Sequence, residues 1–217
     1  MRTIDLSHAM VADMPVYPGS PHPQFTTLAT VANDDYSESI IACSSHCGTH
    51  MDVPAHMIKG KASIDQIDTS QFIGWAQIID IRSKRSGDLI TIEDLLPYQK
   101  KIASADFLIF WSGFDKQWGK QEYFNGFPTL MADAARWLTG FSLKALAIDA
   151  LSFDARGAEV FVIHMTMLGA GILLIENLCC LEQLTTDKCF FVALPLKWQD
   201  GDGSPVRACA IEGVREE

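Results

Sequence analysis

Eight stretches of this chain are dense in β-branched and apolar residues over the length of a strand. They are "TIDLS" (3–7), "SIIACSS" (39–45), "AQIIDIR" (76–82), "FLIFWS" (107–112), "ALAIDA" (145–150), "ILLIE" (172–176), "CFFVALPL" (189–196) and "VRACAIE" (206–212). Helical patterns fall between some of them. In "TLMADAARWLTG" Leu130, Ala134, Trp137 and Leu138 share a face; Thr129 can cap the helix after Pro128 and Gly140 can end it. "IEDLLPY" predicts a short helix stopped at Pro97, and "AEVFVIHMTMLG" a helix ended by Gly169. Strand and helix alternate through the middle while both ends are strand-rich, which predicts an α/β domain with a mixed sheet. No repeat, low-complexity tract or charged linker interrupts the 217 residues, so one domain is expected. "MPVYPGSPHP" (14–23) is too rich in Pro and Gly for a central strand and predicts a surface loop, with Tyr17 placed to line a pocket mouth.

Composition narrows the function classes. The net charge of −10 disfavours binding nucleic acid, which needs a basic surface to replace counterions, and disfavours docking on anionic membranes. The longest apolar run, "MTMLGAGILLI", is short of the roughly 18 residues of a membrane span. No secretory h-region follows Met1, and six scattered cysteines without a CxxC pair read as reduced thiols, so a cytoplasmic location is expected.

The chemistry concentrates in "HCGTHMDVPAH". Three of the six histidines and an aspartate fall within eleven residues, at His46, His50, Asp52 and His56. On a straight strand they would share one face, but His46 and His50 would then lie about 13 Å apart at roughly 3.3 Å per residue. Two ligands of one ion cannot span that distance. Gly48, Thr49 and Pro54 oppose a helix. A strand bent at Cys47-Gly48-Thr49 remains, with Pro54 stiffening the exit and helping to aim His56 back at the site. Imidazole, imidazole and carboxylate suit Zn²⁺ or Mn²⁺ and leave a position open for water, whose pKa the ion lowers. A histidine beside such an ion can serve as general acid and base, and His56 is the candidate. A rival reading is a Cys47 thiolate activated by a neighbouring histidine. A further rival is a metal site kept for stability alone.

The segment fits every defined position of HxGTHxDxPxH, the signature of the cyclase-like metal-dependent hydrolases, which include bacterial kynurenine formamidases and isatin hydrolases. "DLSHAMVADMPVYPG", "WSGFDKQWG", "FPTLMADAARWL", "LGAGILLIENL" and "SPVRACAI" are similar to the family's other landmarks, in order. The resemblance implies a swivelling β/β/α fold, a divalent metal held by His46, His50 and Asp52, and proton transfer by His56. It also implies a second ion in binuclear members, bridged by Asp52 and completed by His164 and Glu176, and a dimeric or higher assembly. The implied substrate is a small amide: an aryl formamide such as N-formylkynurenine first, a cyclic amide such as isatin second, with cyclase chemistry an alternative. Some formamidase members carry tryptophan where this chain has Tyr17, which keeps an aromatic face and adds a hydroxyl.

Among the remaining residues, Glu176 and His164 stand out because each sits in an apolar stretch. His8 and His22 are read as structural or surface residues, and Trp75, Trp111 and Phe114 as candidate aromatic walls. Asp149 and Asp154 follow a strand, where they could serve a site or cap the next element; neither is expected as a ligand. "GDGSP" (201–205) reads as a turn without phosphate-loop spacing.

Overall fold

The computed structural model describes residues 1–215. Twelve strands run in chain order: β1 (Arg2–Asp5), β2 (Gln24–Ala29), β3 (Glu38–Ala42), β4 (His50–Asp52), β5 (Ile73–Asp80), β6 (Leu89–Ile90), β7 (Phe107–Trp111), β8 (Thr129–Leu130), β9 (Ala145–Ile148), β10 (Leu173–Glu176), β11 (Lys188–Pro195) and β12 (Gly203–Glu212). The α-helices are short: α1 (Val31–Asp34), α2 (Ile92–Leu95), α3 (Gln99–Ile102), α4 (Ala132–Leu138) and α5 (Val162–Gly169). No helix among the described residues is long and apolar enough to cross a membrane.

Eight strands form one mixed sheet in the order β1-β12-β11-β5-β7-β9-β10-β4, and a further pairing of β12 with β4 closes it on itself. Closure works because β12 is ten residues long. Its beginning pairs with β4, its remainder with β11, and its last residues also with β1. Neighbours β5, β7, β9 and β10 are parallel, joined by crossovers that carry α2–α3, α4 and α5. Parallel strands covered on both faces must be apolar at every position, which is why "FLIF", "ALAI" and "LLI" show no alternation. Phe107 and Ile109 of β7 enter one core inside the closed sheet, with Ala145, Ile175 and Phe191. Leu108 and Phe110 enter another beneath the helices, with Leu138, Met167 and Leu174. The arrangement is the α/β mixed sheet expected from the sequence.

All eight expected strands are present, and four departures have physical causes. "SIIACSS" becomes β3 only to Ala42 and pairs with β2 in a separate hairpin outside the closed sheet. Pro97 does not stop the helical path, because proline is tolerated at the start of a helical turn; it opens the turn Leu96–Tyr98, and α3 follows directly. Thr129 is not the cap of α4. It lies in β8, paired with β6, and Met131 takes the capping position. The third helix begins at Val162 rather than Ala158, and Gly169 is inside it. The chain reverses at Gly171, whose φ of +81° suits glycine.

Candidate metal centre

The bend expected at Gly48 is present. Gly48 has φ +65°, a conformation that favours glycine, and a Cβ there would meet Met14 Cε at 2.8 Å, so that side chain would have to move. Beyond the bend, β4 places His50 and Asp52 on one face and Met51 on the other, in the core. Antiparallel pairing with β10 sets Glu176 opposite His50 and Leu174 opposite Asp52. The helix α5 delivers His164 immediately before β10. Three segments, the bend with β4, α5 and β10, thus converge at the C-terminal end of β10.

All six residues expected as ligands or proton carrier are brought together. Asp52 lies at the centre and is 1% exposed. Its Oδ1 is 2.6 Å from His46 Nδ1 and 3.3 Å from His50 Nε2, while its Oδ2 is 3.3 Å from His164 Nε2. Glu176 Oε1 is 3.3 Å from His164 Nε2, and its Oε2 is 3.7 Å from His50 Nε2. Two donors each about 2.1 Å from one ion stand roughly 3–3.4 Å apart, so most of these spacings are those of a ligand cage. Ligand atoms of His50, Asp52 and Glu176 lie within 4.8 Å of one another, as do those of His46, Asp52 and His56. Buried carboxylates in such a group require cations, and the donor set fits a divalent ion.

The electrostatics say the same. Burial opposes charge on His46, but the carboxylates of Asp52 and Asp202 lift it to about 9. Burial also opposes charge on His164, yet hydrogen bonds to Asp154, Asp52 and Glu176 push it up to about 12. The Asp52 carboxyl, despite the penalty of burial, is held well below the usual range by His50 and by hydrogen bonds from His164 and His46. The cluster demands positive charge. His56 differs: burial lowers it, although Asp52 pulls the other way, leaving a neutral ring able to accept a proton. Its ring lies 3.9 Å from that of His46, centroid to centroid.

Each imidazole nearest the cluster is anchored by its other nitrogen. His50 Nδ1 donates to the Gly48 carbonyl at 2.8 Å, His164 Nδ1 to Asp154 at 2.7 Å, and His46 Nε2 to Asp202 at 3.0 Å. Such outer acceptors fix which nitrogen faces a metal. Asp154 also accepts from the backbone N–H groups of Ile163 and His164, so it caps α5 and holds the histidine at once. Asp149 serves elsewhere. It accepts from Ser112 and Gly113, and burial pushes it up to about 7.

Two contributors were not legible in the sequence. Asp202 was hidden in a turn read only as a turn. Asn177 adopts φ +59°, a conformation asparagine tolerates. Its amide donates to Gly48 O, its side-chain oxygen accepts from Tyr123, and its carbonyl accepts from Thr49. It therefore locks the bend to the end of β10. A side-chain amide directly after a buried glutamate was the one available signal.

A cavity of about 270 Å³ opens over the cluster, walled by Tyr17, Val16, Met57, Leu151 and Phe161. Tyr17 is placed as expected. Trp75, Trp111 and Phe114 are not: Trp75 packs on Phe190, Arg82 covers Trp111, and Phe114 packs on Tyr123. Phe161 is the aromatic wall that sequence reasoning missed. Cys47 is buried against Met14, and burial raises its thiol to about 11, which opposes a reactive thiolate there. His8 stacks on Trp118 and His22 is exposed, both outside the cluster.

Comparison with known proteins agrees with this geometry. A family profile described as "Putative cyclase" matches residues 4–155, a span that includes the whole histidine signature and ends before His164 and Glu176. The chain is 30% identical to an uncharacterised protein of Methanocaldococcus jannaschii over 217 residues, covering 97% of this chain and 100% of that one. It is 27% identical to the kynurenine formamidase of Salinibacter ruber over 214 residues, covering 96% of each. Isatin hydrolase A from Labrenzia aggregata, solved with benzyl benzoate bound, superposes with a TM-score of 0.87 at 24% identity, covering 96% of this chain and 93% of that one. With the signature bent around one carboxylate and the fold shared over nearly the whole length, this chain belongs to the cyclase family.

Proposed function

We propose that this chain is a metal-dependent hydrolase that opens the carbon–nitrogen bond of a small amide. The observation that carries the reading is Asp52, whose two oxygens face different histidines, with Glu176 completing the group. That arrangement fits one or two ions of Zn²⁺ or Mn²⁺, with His46, His50 and Asp52 as one ligand set and His164, Glu176 and Asp52 as the other. Bound there, a divalent ion supplies Lewis acidity toward a carbonyl oxygen and an attacking water. His56, neutral and at the rim, takes a proton from the water as its oxygen bonds to the carbonyl carbon. It returns that proton to the nitrogen as the C–N bond breaks. Tyr17 and Phe161 offer flat apolar faces to an aryl group.

The likeness to a kynurenine formamidase supports an aryl formamide as substrate, with an isatin-type cyclic amide second. Hydrolysis of N-formylkynurenine and isatin by chelator-stripped protein, before and after Zn²⁺ or Mn²⁺ is restored, tests the reading. Metal-restored turnover of either is expected. Stoichiometric metal with neither compound hydrolysed would overturn the substrate assignment.

The reading treats the chain as one domain acting in the cytoplasm as a homodimer or higher oligomer. One sheet drawing strands from residue 2 to residue 212 supports the first point. The β2–β3 hairpin supports self-association, since Phe25, Leu28, Ile40 and Ile41 stand exposed on an element that is marginal alone.

A further inference from the structure

The segment "GDGSP", expected as a turn, is one only as far as Asp202; Gly203–Pro205 already belong to β12, and hydrogen bonds pin its backbone. Ile64 N–H donates to Gly201 O at 2.8 Å, Val53 N–H to Asp202 O at 3.2 Å, and Trp198 Nε1 to Gly203 O at 3.1 Å. No room is left beside it. A Cβ at Gly201 would lie 2.6 Å from Ile64 and Trp198, and one at Gly203 would lie 2.7 Å from His46 Cε1 and 2.8 Å from Met51 O. Asp202 is therefore fixed relative to β4, with which Gly203 pairs opposite Asp52.

An aspartate that only makes a turn bonds its own backbone about two residues on. The Asp202 carboxylate bonds its own backbone and also reaches across the fold. Its Oδ2 accepts from His46 Nε2 at 3.0 Å and faces His56 Nδ1 at 3.7 Å, with the Ser45 hydroxyl as a further donor. His46 and His56, which it faces, both line the cavity. His50 and His164 already have their outer acceptors; Asp202 is the one that belongs to His46.

We propose that Asp202 is a positioning residue for two histidines at once. By accepting the Nε2 hydrogen of His46 it turns Nδ1 toward Asp52, and the same oxygen, 3.7 Å from His56 Nδ1, places a negative charge beside that ring. It thereby ties a metal ligand to the proton carrier. The His56 half rests on the hydrolase reading above; the His46 half rests on metal binding alone.

The test uses Asp202→Asn, Asp202→Glu and the turn neighbour Asp200→Asn, each checked for an unchanged urea midpoint. Zn²⁺ affinity is measured by competition with a chromophoric chelator, and kcat and KM at saturating Zn²⁺ on the amide hydrolysed, in wild-type and His56→Gln backgrounds. Asp202→Asn should weaken Zn²⁺ binding on the order of 10–100-fold. It should lower kcat with KM unchanged, yet leave His56→Gln no slower than before, because the two act as a unit. Asp202→Glu keeps the charge but moves it, and should restore neither; Asp200→Asn should match wild type. Wild-type Zn²⁺ affinity in Asp202→Asn, full activity in Asp202→Glu, or independent losses with His56→Gln would each overturn the proposal. Should wild type hydrolyse no amide, the hydrolase reading fails by itself while Zn²⁺ affinity still decides the His46 half. Long-range ¹H–¹⁵N spectra of the unaltered Zn²⁺ protein give a check that needs no variant. A His46 ring protonated on Nε2 is expected, and one protonated on Nδ1 would sink the idea.

Discussion

At the scale of single residues, the sharpest distinction is between holding an ion and moving a proton. His50 and His164 are buried, with their Nε2 atoms 3.3 Å from an Asp52 oxygen. His56 is half-buried, and although a nitrogen of its ring comes within 4.8 Å of an Asp52 oxygen, it is not among the histidines in ion-pair contact with that carboxylate. His56→Ala should therefore keep its metal while kcat falls by about 10²–10⁴, the usual worth of a positioned acid–base group. Metal analysis beside steady-state kinetics checks this, and loss of the ion together with turnover would return His56 to the ligands. Cys47→Ala separates the thiol mechanism from the metal one. Its sulfur faces Met14 in the interior, so activity should persist, and a chelator should abolish it. The residues expected as ligands were legible because their chemistry is unusual in an apolar setting. Asp202 and Phe161 were not, since an aspartate in a turn and an aromatic beside a helix are commonplace until their directions are known.

At the scale of elements, the sequence foretold strands better than their ends. β7, β9 and β10 are covered on both faces, so their apolar runs had no competing explanation. β4 is only the three residues "HMD", and it was legible from the histidine spacing and the bend at Gly48 rather than from an apolar run. Its placement depends on the bend before it, which carries a prediction. Gly48→Ala forces a side chain into the left-handed region and into Met14, and should cost roughly 1–3 kcal/mol. Urea unfolding with an unchanged slope would report that loss. Metal affinity should fall as well, because the Gly48 carbonyl that anchors His50, and that Asn177 also bonds, must shift. A variant as stable as wild type would show that the bend can relax without cost.

At the scale of the whole molecule, the site is a clasp. Its carboxylates and imidazoles come from residues 46–56 around β4, from α5 and from β10, and β4 also closes the sheet by pairing with β10 on one side and β12 on the other. Unfolding separates residues 46–56 from 164–176, so an ion held by both groups binds the native chain far better than the unfolded one. Linkage then fixes the size of the effect. At a free metal concentration 100 times Kd the native state gains about 2.7 kcal/mol. For a chain of this length each kcal/mol moves Tm by roughly 2–4 °C, so stripped protein should gain about 5–11 °C on adding Zn²⁺ at that excess. Calorimetry across a metal titration measures it, with Tm rising with the logarithm of free metal past saturation. Asp52→Asn removes the carboxylate that faces both histidine groups and should abolish the rise, whatever its own effect on the stripped protein. An unaltered Tm in the native sequence would mean that the carboxylates and histidines satisfy one another without an ion. The fold would then stand, and the metal-dependent reading of the site would not.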